Sequence, residues 1–247
     1  MKICIDAGHN YSRYDTGAVG NGLKEQDITF DIADKLEDLL KSVGVEVVMT
    51  RPKITTNVGK NANDSINERC RIANNTKCDY FISIHCNAFA DTSAKGTETL
   101  IYGIGGEAEK LANKVNAEIV KSLKTTNRGI KVRTNLGVLK NTNMPAILVE
   151  TAFITNASDA QLLKNKQVEF AKAIFTGVCD YLGIEKKTSV DSNKIETGND
   201  IDYALKWKYG ITFESLADEK ELIKEIDTLK AKNSEVYKVL YQLANKK

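Results

Sequence analysis

From Ile3 to Gly183 the chain alternates short apolar runs with longer stretches whose apolar residues recur every three or four positions. That alternation restricts the fold class more than any other feature. Repeated strand–helix units build an α/β domain, with helices flanking a mixed, mostly parallel sheet. Ile3-Cys4-Ile5 is a short buried strand. Ile28, Ile32, Leu36, Leu39, Leu40 and Val43 mark a helix over 27–43, which Gly44 stops. Residues 45–49, 80–84, 97–102, 136–139 and 146–149 read as further strands. Helices are expected over 63–76 (capped by Asn63 or Asp64), over 106–124 and over 158–182.

Past Gly183 the pattern changes. Residues 184–200 are polar and aperiodic and read as a linker, and 201–247 as a small all-helical region. Leu222, Leu229, Val236 and Leu243 fall at d positions of a heptad seam, with Ile226, Asn233 and Leu240 at a. A single a-position asparagine favours a parallel dimer in register. The sequence therefore offers a homodimer through helix 219–245, or a local bundle with the helix around 201–209.

The charge balance, 35 basic against 33 acidic residues, gives +2, which supplies no electrostatic case for nucleic acid. No apolar run approaches the ~20 residues that span a bilayer, so membrane insertion is not expected. Because the chain opens directly on a strand, it is expected to be made in the cytoplasm without a signal peptide, unless a leader has been trimmed. Five cysteines at irregular spacing match no metal knuckle and read as buried free thiols.

Chemistry concentrates at strand ends, where α/β sheets gather their sites. The chain has two histidines. His9 follows the first strand in Asp6-Ala7-Gly8-His9, and His85 closes another in Ser83-Ile84-His85-Cys86-Asn87. A catalytic zinc takes three protein ligands and keeps one position open. Glu25, after the glycine-bearing loop 17–22, is the candidate third ligand, or else a charge partner for the following helix N-terminus. Glu150 ends the apolar run Pro145–Val149, where burial would raise its pKa and suit a general base, or it is a surface glutamate at a strand exit. Cys86 should face away from His85, since neighbours on a strand point to opposite faces. Asn87 should share the side of His85.

In these segments the chain resembles the zinc-dependent N-acetylmuramoyl-L-alanine amidases of the type-3 family. The resemblance rests on Asp6-Ala7-Gly8-His9, Glu25, Thr50-Arg51, Arg69 to Asn74, Ser83 to Asn87, and Met144 to Glu150 followed by Phe153 to Asn156, in that order over 2–183. It implies zinc ligands at His9, Glu25 and His85 and a catalytic carboxylate at Glu150. It also implies hydrolysis of the amide between N-acetylmuramic acid and L-alanine in peptidoglycan, with 1–183 as the catalytic domain. The alternative is a zinc peptidase cutting the wall's stem peptide; a silent wall-binding protein is disfavoured because all four positions are filled. Asn87 is a candidate substrate contact and Arg69 a structural pairing residue. The loop Pro52 to Thr56 departs from the family, which often has an acidic residue soon after Thr-Arg. A start without a leader resembles phage endolysins or similar Gram-positive autolysins, which act on the wall after release. Trp207, Tyr209 and Phe213 make wall targeting a further reading of the C-terminal region.

Overall fold

The structure of the chain is a computed structural model, and it describes residues 1–186. The linker beyond 186, the helical region and the homodimer seam fall outside the described residues.

Six strands form one sheet: β1 (Lys2–Ala7), β4 (Glu46–Met49), β5 (Tyr80–Asn87), β6 (Thr97–Ile101), β7 (Asn127–Val132) and β8 (Ala146–Phe153). Their order is β4-β1-β5-β8-β6-β7. β6 runs antiparallel to β8 and the other pairs are parallel, giving the mixed, mostly parallel sheet expected. A separate hairpin pairs β2 (Val19–Gly20) with β3 (Leu23–Lys24).

Helices cover both faces. On one side α1 (Glu25–Ser42), α3 (Glu107–Leu123) and α6 (Gln167–Leu182) pack together. A Cβ on Gly177 of α6 would lie 2.6 Å from the Val115 Cα of α3, so glycine sets how closely these helices approach. The stripe of α1 is buried, and each fully buried leucine or isoleucine contributes about 1.5–3 kcal/mol. On the other side lie α2 (Ala62–Asn75) and the single turn α4 (Gly137–Lys140). Cys70 and Ala73 of α2 and Val138 and Leu139 of α4 cluster there with Phe81 and Leu148 from the sheet. The short α5 (Ala157–Asn165) precedes α6.

Several boundaries differ from the sequence reading. Residues 136–139 form no strand, because Val138 and Leu139 are buried on the one-turn helix α4. The helix expected over 158–182 breaks at Lys166, which closes α5 and opens α6 at φ −131°, ψ 27°. The cap of α2 is Asn61, extended at φ −156°, whose side chain accepts from Asp64 N. Asp64 instead accepts from Lys60 N at 2.7 Å, so two backbone donors are satisfied reciprocally. β7 was not anticipated. Gly183 ends α6 with a left-handed φ of 65°, as a helix stop requires.

All five cysteines are buried free thiols. Among the described residues no helix is long and apolar enough to cross a membrane.

Candidate metal centre and active site

Side-chain alternation along the central strands explains where polar residues emerge. Phe81, Ser83, His85 and Asn87 share one face of β5; Ala146, Leu148 and Glu150 share that face on β8; Leu100 and Glu98 share it on β6. The row is apolar beneath α2 and α4 and becomes polar toward the carboxyl ends of β5 and β8. Cys86 points to the opposite face, against Thr151, as strand geometry demanded.

His85 and Glu150 are direct partners across β5 and β8. Glu150 therefore sits mid-strand: β8 continues three residues to Phe153, where the sequence had suggested the strand's end. His9 stands two residues past β1 and Glu25 is the first residue of α1, two residues earlier than the helix start expected. These elements bring three donors together. His9 Nε2 lies 3.0 Å from Glu25 Oε1, His85 Nδ1 lies 3.2 Å from the same oxygen, and the two ring nitrogens are 3.1 Å apart.

Two of the three donors, His9 and Glu25, are oriented by a second contact. Asp15 Oδ1 meets His9 Nδ1 at 2.7 Å, which directs Nε2 inward. The two Glu25 oxygens accept from Cys86 N at 2.9 Å and Ala18 N at 2.8 Å. His9 holds a left-handed φ of 66°, an uncommon conformation for a residue with a side chain. Buried Arg69 on α2 donates to the His9 carbonyl at 2.5 Å and to Asp6 Oδ1 at 2.5 Å, so Arg69 is the structural partner that the sequence suggested.

The donor set fits zinc. Four donors at about 2.0–2.1 Å in a tetrahedron are about 3.3–3.4 Å apart, within a few tenths of an ångström of the three separations found. Two imidazoles and one carboxylate leave the fourth position for water or substrate.

Glycines make the approach feasible. A Cβ on Gly8 would lie 2.6 Å from the His85 ring. Gly17, at φ 76°, would place a Cβ 2.7 Å from His9 Cδ2 and 2.8 Å from Glu25 Oε2. We expect Gly17→Ala to cost about 1–2 kcal/mol of backbone strain and to displace both ligands. Metal analysis of the purified variant should show substoichiometric zinc together with a lowered Tm; full occupancy would contradict this reading.

Electrostatics separates the two glutamates. Burial acts to raise the Glu25 pKa, but hydrogen bonds from His85 and His9 reverse this and hold it well below the usual range. Glu150 has no such help: burial, with the charges of Glu25 and Glu98, pushes it up to about 8. Its Oε2 is buried without a hydrogen-bond partner. Burial works against protonated His9, yet its bonds to Asp15 and Glu25 raise its pKa to about 9.

The family profile of N-acetylmuramoyl-L-alanine amidases matches residues 3–180. The chain belongs to this amidase family. Among amidase relatives, LytC of Bacillus subtilis is 37% identical over 183 residues, covering 72% of this chain but only 35% of LytC. An endolysin of Bacillus phage SPP1 is 33% identical over 203 residues, covering 78% of this chain and 70% of the endolysin. The crystal structure of an amidase from Clostridium difficile 630 superposes with a TM-score of 0.65 at 34% identity, covering 74% of this chain and 96% of that one. The amidase likeness thus concerns the α/β part of the chain.

Three residues around this donor cluster, Asp15, Glu98 and Arg128, carried no local sequence signal. Asp15 lies in an irregular loop, also at positive φ (55°). Glu98, directly opposite Glu150 on β6, is buried and accepts from Asn87 Nδ2 at 3.0 Å and from Arg128 Nε at 2.8 Å. Asn87 shares the site face as expected, with its amide nitrogen committed to Glu98. Strand pairing brings Glu98, Arg128 and Asn87 together, and a loop folded back on itself brings Asp15 to His9.

Proposed function

We propose that the chain hydrolyses the amide between N-acetylmuramic acid and L-alanine in peptidoglycan, with zinc held by His9, Glu25 and His85 and with Glu150 moving the proton. The observation that carries this is the triangle of three donors beside a half-buried carboxylate whose Oε2 is buried without a partner. Bound there, zinc supplies Lewis acidity, which polarises the scissile carbonyl and acidifies a water. Glu150 takes a proton from the attacking water and returns it to the departing L-alanine nitrogen. Its elevated pKa suits both transfers, because a group titrating near working pH can accept and then donate. Asn87 has its carbonyl oxygen left to receive a substrate N–H. Asp15, through His9, and the backbone amides of Cys86 and Ala18, through Glu25, keep the ligands in place.

Peptidoglycan as substrate draws support from the family and from relatives that include both a phage endolysin and a bacterial amidase. Action on the wall after release fits either kind of relative.

The test is digestion of purified walls with end-group analysis. New L-alanine amino termini with intact glycan chains are expected; new termini at other stem residues would instead indicate a peptidase. A chelator should abolish lysis and zinc should restore it. Only neutral imidazole ligates, and His9 is protonated below about 9 in the metal-free chain, so zinc uptake near neutrality displaces a proton. The zinc Kd measured between pH 6 and 8 should therefore rise as pH falls. A pH-independent Kd would argue against His9 as a ligand.

A further inference from the structure

Beyond the four residues of the reaction, the site end of the sheet carries a braced cation with an open binding edge. Arg128 lies on β7, two strands from Glu150, and its side chain is 37% exposed. Its Nε donates to Glu98 at 2.8 Å, and its guanidinium carbon lies 4.8 Å from the centre of the Phe153 ring. Among the described residues no hydrogen bond engages its two Nη groups. Glu98 is itself fixed by Asn87 from β5. The guanidinium is thus braced on one edge, stacked on one plane and bare on the edge that remains. A braced arginine loses little conformational freedom on binding, and its fork matches the two oxygens of a carboxylate.

We propose that Arg128 is a specificity-determining residue that binds a carboxylate of the stem peptide, on the leaving-group side of the scissile amide. The distances agree. Two strand spacings put Arg128 about 10 Å across the sheet from Glu150. An extended peptide advances about 3.3–3.6 Å per residue, so a carboxylate on the residue after L-alanine, reached through its own side chain, falls within that span. The charge pattern agrees as well. The Glu98 carboxylate would repel an acidic peptide from this face, and Arg128 is the cation placed beside it to reverse that locally. Were Arg128 only a brace for Glu98, its Nη edge would need no opening.

The inference rests on the amidase reading, and the experiment separates the two. Two N-acetylmuramoyl-L-alanyl peptides are compared, one with a free side-chain carboxylate on the residue after L-alanine and one with the carboxamide there. The natural chain should prefer the carboxylate by on the order of ten- to a hundredfold in kcat/KM, mostly through KM, as expected for a charged hydrogen-bonded pair. In Arg128→Gln that ratio should collapse toward one, and Arg128→Lys, which keeps the charge but loses the fork, should retain an intermediate preference. Because the readout is a ratio within each variant, a general loss of activity or stability does not mimic the result. Equal turnover of both peptides by the natural chain overturns the Arg128 assignment and leaves the amidase reading intact. A preference that survives in Arg128→Gln also overturns it. Cleavage of neither peptide removes the amidase reading and this inference together.

Discussion

Glu150→Gln should lower kcat on peptidoglycan by about a hundred- to ten-thousandfold, the usual range for loss of a general acid–base group, while leaving zinc content unchanged. The amide keeps the shape of the carboxylate and sits on the same rigid central strand, but it cannot take up and release a proton. Glu150 is not one of the three clustered donors, so the metal should remain. Removing a carboxylate that burial pushes up to about 8 should also not destabilise the fold, because the charged form is disfavoured where it stands. The pair of measurements is decisive: turnover and bound zinc on the same preparation. A variant with full activity would end the proposed role of Glu150, and one without zinc would make it a ligand instead. The pH profile supplies a second check. The base must be deprotonated to begin the reaction, so kcat/KM should rise with pH along an acid limb. That limb should lie above the ordinary glutamate value of ~4.3 and no higher than about 8, since a nearby cation favours the carboxylate.

What could be read before the structure follows from where each signal resides. The central strands were legible because strands buried on both faces are written as continuous apolar runs, and Ala146–Val149 is such a run. Their ends were less so: Glu150 interrupts the apolar run and looks terminal, yet the ladder continues through Thr151 and Ala152, both buried. Edge strand β7, Asn127–Val132, has four exposed residues and a glycine, and its strand character comes from pairing with β6. Leu136–Leu139 misled in the other direction, since four residues of mixed apolar character do not distinguish a strand from one helical turn. The same division holds for the site. His9, His85, Glu25 and Glu150 lie in distinctive local contexts. Asp15, Glu98 and Arg128 lie in ordinary ones and become informative only through hydrogen bonds that the fold creates. Glu25 gained most from the structure, because the sequence left a helix-terminal role open and its two oxygens prove to be aimed by the Ala18 and Cys86 backbone amides.

Arg69→Ala should destabilise the domain by about 3–5 kcal/mol, as expected when one partner of a buried ion pair is removed. Arg69 and Asp6 are almost completely buried, and Arg69 also donates to the carbonyls of Ala7 and His9. Without the guanidinium, the Asp6 carboxylate keeps bonds from Thr50 and Ser83 at 2.6 Å each but loses its counter-charge. The pH dependence carries the distinctive signature. In the natural chain burial favours protonated Asp6, but Arg69, Ser83 and Thr50 overcome it and hold the folded pKa below the ordinary value. A depressed carboxylate stabilises the fold above its unfolded pKa of ~3.9, and that stability is lost as pH falls through the lower folded value. In the variant burial loses its main opponent, so the folded pKa rises and the carboxylate becomes a burden that protonation relieves. The gap in unfolding free energy between the two proteins should be widest where Asp6 is ionised in both folded proteins and should narrow as pH falls through the variant's raised pKa toward the natural chain's lowered one. Denaturant unfolding at several pH values measures it, and a gap independent of pH would show that packing, rather than charge, is what Arg69 supplies. Because Arg69 also holds the carbonyl of His9 in its left-handed conformation, zinc affinity should fall together with stability. The ion pair beneath the sheet's end would then be what keeps the first ligand in a backbone conformation it would not adopt unaided.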